Sequence, residues 1–144
     1  MASKFAKPWV EFVGEVDEVQ KNELLRNAYA LLFPIDWPEP FGLVMVEAMS
    51  CGTPVIAWGH GSVPEIVDDG ATGFIVNSLP GALRGLHRVA QLERRRVAKI
   101  ARERFSIRRM TLEYLRLYEH CIALQTMPVL NVATGGGLHA GPRK

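Results

Sequence analysis

The sequence predicts an α/β fold built on a parallel sheet. Short β-branched or aromatic runs alternate with segments of helical periodicity, as successive strand–helix units require. One of those runs, ALLFPI, is too apolar to have a wet face, which is the mark of a strand covered on both sides. Size sets a further limit, because 144 residues with 48% hydrophobic content suffice for one core and are short for two.

The elements follow in chain order. WVEFVG (Trp9 to Gly14) reads as a first strand, and Asp17 as the N-cap of a helix running through ELLRNAYA. ALLFPI (Ala30 to Ile35) is the second strand. The proline-punctuated loop DWPEP opens directly into a helix, GLVMVEAMSC, that Gly52 closes. PVIAW is the third strand, and GHGSVPEIVDDG is a glycine loop feeding a short helix, with Ser62 placed to cap it and Pro64 suited to its first turn. GFIV is the fourth strand. From Pro80 to about Gln125 the pattern is helical, with a break near Phe105 and Ser106. The tail TMPVLNVATGGGLHAGPRK has no periodicity, which divides the chain into residues 1–124 as one domain ending in long helices and 125–144 as a flexible tail.

Charge and cysteine usage narrow the function classes. Between Arg84 and Arg109 ten Lys or Arg face two acids, so a net charge of +2 hides an acidic remainder. A solvated helical surface is the first reading of that stretch, and a membrane-surface or interdomain patch the second. Nucleic acid comes last, since Phe105 is the sole aromatic interleaved with the arginines. Cys51 and Cys121 each sit in an apolar helical context with no metal ligand at short spacing, which predicts buried thiols and a reducing, cytoplasmic setting. The start MASKFAKPWVEF lacks a signal-peptide core, and no run approaches the roughly 18 apolar residues that span a bilayer. His60 and His87 are isolated, and neither is assigned to catalysis.

The stretch EPFGLVMVEAMSCG raises the functional question. Pro40 cannot continue an earlier helix, so the helix starts near Phe41 or Gly42, and the first amides, those of Gly42, Leu43 and Val44, lack intrahelical partners. They form the positive end of a helix at the carboxyl end of a strand, where open α/β sheets bind ligands and where an anion is favoured. Glu47 is a lone carboxylate on an apolar helix. Burying it unpaired would cost several kcal/mol, so it needs a protein cation or a ligand with hydroxyl donors. Two readings stay open: an internal ion pair or a helix grazing the surface, and a ligand carrying phosphates for the helix end and hydroxyls for Glu39 and Glu47. A sugar nucleotide carries both.

The run EPFGLVMVEAMSCGTPVIAWGHGSVPEIVDDGATGFIV resembles the donor-binding core of glycosyltransferase family 4, retaining enzymes of the glycogen-synthase-like superfamily with GT-B architecture. Two glutamates with seven residues between them, the FG pair and the A-x-x-x-G-T-P-V-I run carry the resemblance, which extends from about Val10 to Tyr118. It implies a Rossmann-like, three-layer parallel sheet, the C-terminal half of a GT-B enzyme. It also implies that Glu39 bonds hydroxyls of the transferred sugar and Glu47 the ribose hydroxyls. Phe41 and Gly42 then line the sugar, while the amides of Leu43 and Val44 meet the diphosphate. Val16, Glu18 and Lys21 flank the base, with a solvated helix charge as the other reading of Lys21. Gly61, Ser62 and Glu65 form the loop after the third strand, read as turn structure or as closure over the donor.

The implied reaction is transfer of a sugar from a nucleoside diphosphate to an acceptor hydroxyl with retention, with no cofactor and no metal. Asp68 and Asp69 have no carboxylate partner at ligand spacing. Members of the family begin the donor domain with a strand and helix that deliver a basic pair, and precede it with an acceptor-binding domain. The sequence matches from what resembles the third strand of the donor domain, so the expected partners are a nucleotide sugar and an N-terminal acceptor domain, with peripheral membrane contact because many relatives use lipid-linked acceptors. The alternative is a non-catalytic sugar-nucleotide-binding module; an interaction domain would leave the glutamates unexplained. A glycosidase is disfavoured by the adjoining phosphate site.

Overall fold

The computed structural model describes residues 7–126 of the chain. Three strands, β1 (Leu31–Phe33), β2 (Val55–Trp58) and β3 (Gly73–Val76), form one parallel sheet in the order β1-β2-β3. Helix α1 (Glu18–Asn27) precedes β1, α2 (Leu43–Ser50) joins β1 to β2, and α3 (Val63–Ile66) joins β2 to β3. Then follow α4 (Leu79–Arg88), a 3₁₀ turn (Val89–Gln91), α5 (Arg94–Phe105) and α6 (Ile107–Thr126). Two compact units result, one ending at Arg109 and the other beginning at Met110. The expected flexible tail, 125–144, lies outside the described residues except for Gln125 and Thr126, which close α6.

Alternation along the strands makes the first unit a three-layer, Rossmann-like structure. Val55 and Ala57 of β2 point into a core shared with Leu25, Phe33, Met45, Ala48, Met49, Val63, Ile66, Val97 and Ala101. Between them Ile56, with Phe74 of β3, points the other way, against Val89, Ala82 and Leu86. A strand buried on both faces reads as a continuous apolar run, and VIAW does.

Local chemistry sets the helix ends. Asp17 Oδ1 accepts from Gln20 N–H at 2.8 Å while Gln20 Oε1 accepts from Asp17 N–H at 3.1 Å, a reciprocal capping box at the start of α1. Helix α2 ends in a Schellman motif: Gly52 N–H donates to Met49 O and Thr53 N–H to Ala48 O, both at 2.8 Å, with Gly52 at φ +81°.

Four expectations from the sequence need correction. Trp9 to Gly14 forms no strand; Val10 N–H bonds Lys7 O in a tight turn, and Trp9 and Phe12 are exposed. Among the described residues this segment pairs with neither edge of the sheet, and without a ladder partner its strand character is not realised, so three strands stand where four were expected. Ser62 precedes α3 but makes no capping bond, since its hydroxyl is drawn to a carbonyl of another loop. Cys51 is half-buried and Cys121 is exposed; among the described residues the second unit consists of α6 from Met110 on, and a single helix cannot enclose its own side chains. Finally, the basic stretch is not simply a solvated face. Arg94, Arg102 and Arg104 donate to backbone carbonyls, and the Arg88 guanidinium lies 4.4 Å from the centre of the Phe74 ring.

Gly73 offers a test of the sheet. A Cβ there would run into the Val55 carbonyl oxygen of the neighbouring strand, a backbone atom that cannot step aside. Gly73→Ala is expected to destabilise the first unit by about 3 kcal/mol, the upper range for overpacking, measured as a shift in the urea midpoint at unchanged slope.

Candidate functional site

The loop between β1 and α2 is the centre of the site. It leaves the sheet at the carboxyl end of β1, and Gly42 turns it into the helix at φ +71°. That positive φ favours glycine, and a Cβ there would also displace Met45 Cε, 2.6 Å away, and press on Phe33 Cζ at 3.3 Å. The helix proper begins at Leu43, one or two residues later than the sequence predicts. Glu39, half-buried, folds back so that its Oε1 accepts from Gly42 N–H at 3.2 Å. The Gly42 amide is thus capped by the protein itself. The amides of Leu43 and Val44 are the first two inside the helix and by geometry have no carbonyl one turn back to bond. Phe41, 44% exposed, presents its ring at the rim, edge-on to Phe105 with centroids 6.4 Å apart.

Glu47 lies one turn further along α2, and its question is answered in the protein. Lys21 Nζ of α1 donates to Glu47 Oε1 at 2.9 Å and to Glu18 Oε1 at 2.8 Å. The open reading of an internal ion pair is therefore the observed one. It does not exhaust the carboxylate, which has about four acceptor positions. Lys21 is half-buried, held away from the solvated reading by its two partners, and its pKa is raised above 10.5 by the hydrogen bonds to Glu18 first and Glu47 second. The base-flanking candidates divide between the first turn of α1 and the segment before it. Glu18 and Lys21 turn toward Glu47, whereas Val16 lines a cleft of about 650 Å³ with Val13, Glu15, Gln20, Glu23, Leu24 and Asn27.

Two features of the surroundings escaped the sequence reading. The turn after β2 supports the Glu39 loop: Ser62 N–H donates to Glu39 O at 2.9 Å and Ser62 Oγ to Phe41 O at 2.8 Å. Arg94 anchors α1 from the far side, donating to Ala28 O at 2.7 Å, Arg26 O at 2.6 Å and Thr53 Oγ1 at 2.7 Å. Neither has a local signal, since their partners are 21 to 68 residues away in the chain. His60 stands 3.4 Å from Asp36 at the outer edge of the loop, and His87 bonds Leu83 O within α4. No three metal-ligand-type side chains cluster among the described residues, and none of the helices described there is long and apolar enough to cross a membrane.

A Rossmann-like parallel sheet, with a glutamate-capped helix start at the carboxyl end of a strand, defines an α/β domain of GT-B architecture. Residues 2–104 match the family model of glycosyl transferases group 1, and the chain belongs to that family. A phosphatidyl-myo-inositol mannosyltransferase of Mycobacterium leprae is 33% identical over 117 residues, covering 76% of this chain and 31% of that protein. A D-inositol 3-phosphate glycosyltransferase of Streptomyces scabiei is 43% identical over 67 residues, covering 46% of this chain and 15% of the relative. Among solved structures, a glycosyltransferase involved in avilamycin A biosynthesis superposes with a TM-score of 0.64 at 28% identity, covering 77% of this chain and 36% of that one. The chain spans less than a third of the length of these two curated relatives.

The Lys21 pairs make a pH-dependent contribution whose sign is fixed by its raised pKa. A cation whose folded pKa exceeds its unfolded value adds stability below the unfolded value and loses it as pH rises through the folded one. The Tm difference between the wild type and Lys21→Met is expected to stay constant from neutral pH to about 10 and to shrink above 10.5, read by circular dichroism melts across that range.

Proposed function

We propose that this chain is the donor-binding portion of a retaining glycosyltransferase, which moves a sugar from a nucleoside diphosphate to an acceptor hydroxyl. The observation that carries the reading is the loop from Glu39 to Val44: a partly buried carboxylate and the open end of a helix, side by side at the carboxyl end of β1. In the proposed complex Glu39 orients the sugar hydroxyls, with Phe41 and Gly42 lining that sugar. The amides of Leu43 and Val44 receive the diphosphate, and Glu47 accepts from the ribose hydroxyls. Val16, Glu18 and Lys21 are proposed to flank the base, Lys21 also holding the Glu47 carboxylate in orientation.

Charge on the leaving diphosphate grows in the transition state, so preorganised amides at its oxygens lower the barrier more than they strengthen ground-state binding. Glu39 acts by orientation and does not attack the sugar. The proposal includes no metal or other cofactor. The whole reaction also needs an acceptor-binding domain facing this one, because proximity of donor and acceptor supplies much of the rate. The names of the mannosyl and inositol phosphate relatives support a hexosyl donor and a polar or lipid-linked acceptor for this chain too. Peripheral membrane contact would fall to Arg84, Arg95, Arg96 and Arg108, which are exposed, and not to the arginines that grip backbone carbonyls.

Calorimetry on the 144-residue chain with uridine, guanosine and adenosine diphosphates tests the site. Weak binding of one of them is expected, without sugar transfer by this chain alone. Glu47→Gln is expected to weaken that binding by roughly 1–3 kcal/mol, as for loss of a charge-assisted bond, while Glu39→Gln leaves it nearly unchanged and weakens the sugar nucleotide instead. Equal losses with the bare diphosphate would overturn the division of roles between the two glutamates; no binding of any of the three would remove the donor site.

A further inference from the structure

We propose that Ser62, with Gly61 beside it, is a positioning residue: it holds the Glu39–Gly42 loop in the arrangement that receives the transferred sugar, and so governs selection of a sugar nucleotide over the bare nucleoside diphosphate. This rests on the reading of that loop as the sugar site. The physical case begins with what the loop cannot do for itself. Pro40 has no N–H to donate, and the carbonyls on either side of it, those of Glu39 and Phe41, both point at one residue outside the loop. Ser62 meets the first with its N–H at 2.9 Å and the second with its hydroxyl at 2.8 Å. Two bonds from one buried residue, straddling a proline, define the loop's height and its twist about the Glu39–Phe41 axis. Ser62 is only 6% exposed, so its hydroxyl is withdrawn from solvent and acts through the loop.

The residue type is otherwise unexplained. A serine just before a helix ordinarily caps it, yet Ser62 makes no capping bond to α3. Gly61 is constrained in the same direction: it sits at φ +56°, and a Cβ there would strike Glu39 N and O and approach the Pro38 carbonyl carbon to 2.8 Å. Close approach of this turn to the loop is thus built into both residues. The other end of α3 is secured by Arg104, which donates to Ile66 O at 3.2 Å, to Glu65 O and to Asp68 Oδ1 at 2.7 Å. Its neighbour Phe105 packs edge-on against Phe41. The C-terminal turn of α5 therefore supports the loop twice, once directly and once through α3 and Ser62.

The test pairs binding with amide exchange on the 144-residue chain, using uridine and guanosine diphosphates beside UDP-glucose and GDP-mannose. Ser62→Ala is expected to bind the bare diphosphate as the wild type does and to lose about tenfold in affinity for the sugar nucleotide, the size of one net hydrogen bond. Ser62→Thr, which keeps the hydroxyl, is expected to restore the ratio, and Gly61→Ala to disturb it with the hydroxyl intact. The amides of Gly42 and Ser62 should exchange about tenfold faster in Ser62→Ala, with those of Val55 to Ala57 unchanged. An unchanged affinity ratio in Ser62→Ala overturns the proposal. Should the wild type bind none of the four ligands, the donor-site reading fails, and exchange decides the brace by itself: unchanged rates at Gly42 and Ser62 overturn it. Should Ser62→Ala not fold, Gly61→Ala decides, a wild-type ratio and wild-type exchange again overturning it.

Discussion

The architecture of the candidate site depends on one guanidinium. Arg94 spans the carbonyls of Arg26 and Ala28 at the end of α1 and the hydroxyl of Thr53 at the start of β2's approach, and Thr53 in turn donates to Leu25 O. Helix α1 buries one side chain, Leu25, so apolar packing alone holds it weakly. Its terminal carbonyls would otherwise lack partners, and a planar five-donor fork meets several of them at once. Gly52 lets this happen, because a Cβ there would come within 2.8 Å of the Arg94 carbonyl oxygen. With α1 secured at its C-terminal end, its second turn lies against α2, and Lys21 reaches Glu47.

A second constraint acts on the opposite side of α2. The Glu39 loop is irregular backbone, and such segments hold a shape only where their polar groups are satisfied. Its carbonyls are met from the turn after β2, its first helical-end amide by Glu39 itself, and its aromatic rim by Phe105. The two supports converge on α5, which contributes Arg94 at its start and Arg104 and Phe105 at its end. One helix, remote in sequence from both glutamates, thus organises the ground on which each stands. That accounts for Arg94 and Arg104, the two arginines of this stretch that are not exposed.

How much of this was legible depended on the range of the interactions. The capping box at Asp17, the Schellman end at Gly52, the helix from Leu43 and the strands at Leu31, Val55 and Gly73 are written in neighbouring residues, and periodicity with turn chemistry exposes them. Trp9 to Gly14 has equally strong strand character and forms none, because a strand exists only with a partner and no local pattern states whether one is present. Ser62 carries the residue type of a cap and does other work, since a carbonyl 21 residues away competes for its hydroxyl. Cys121, apolar by context, is exposed, because local hydrophobicity does not state which face of a helix is covered.

The sequence by itself determined the α/β class, the parallel order implied by strand–helix alternation, and the two glutamates at a helix start, because these follow from spacing within a dozen residues. Tertiary structure alone decided what Glu47 faces, which arginines are solvated and which are clamps, and what holds the Glu39 loop. Those outcomes turn on donors and acceptors brought together from 21 to 68 positions apart, and electrostatic satisfaction at that range has no signature in a linear pattern.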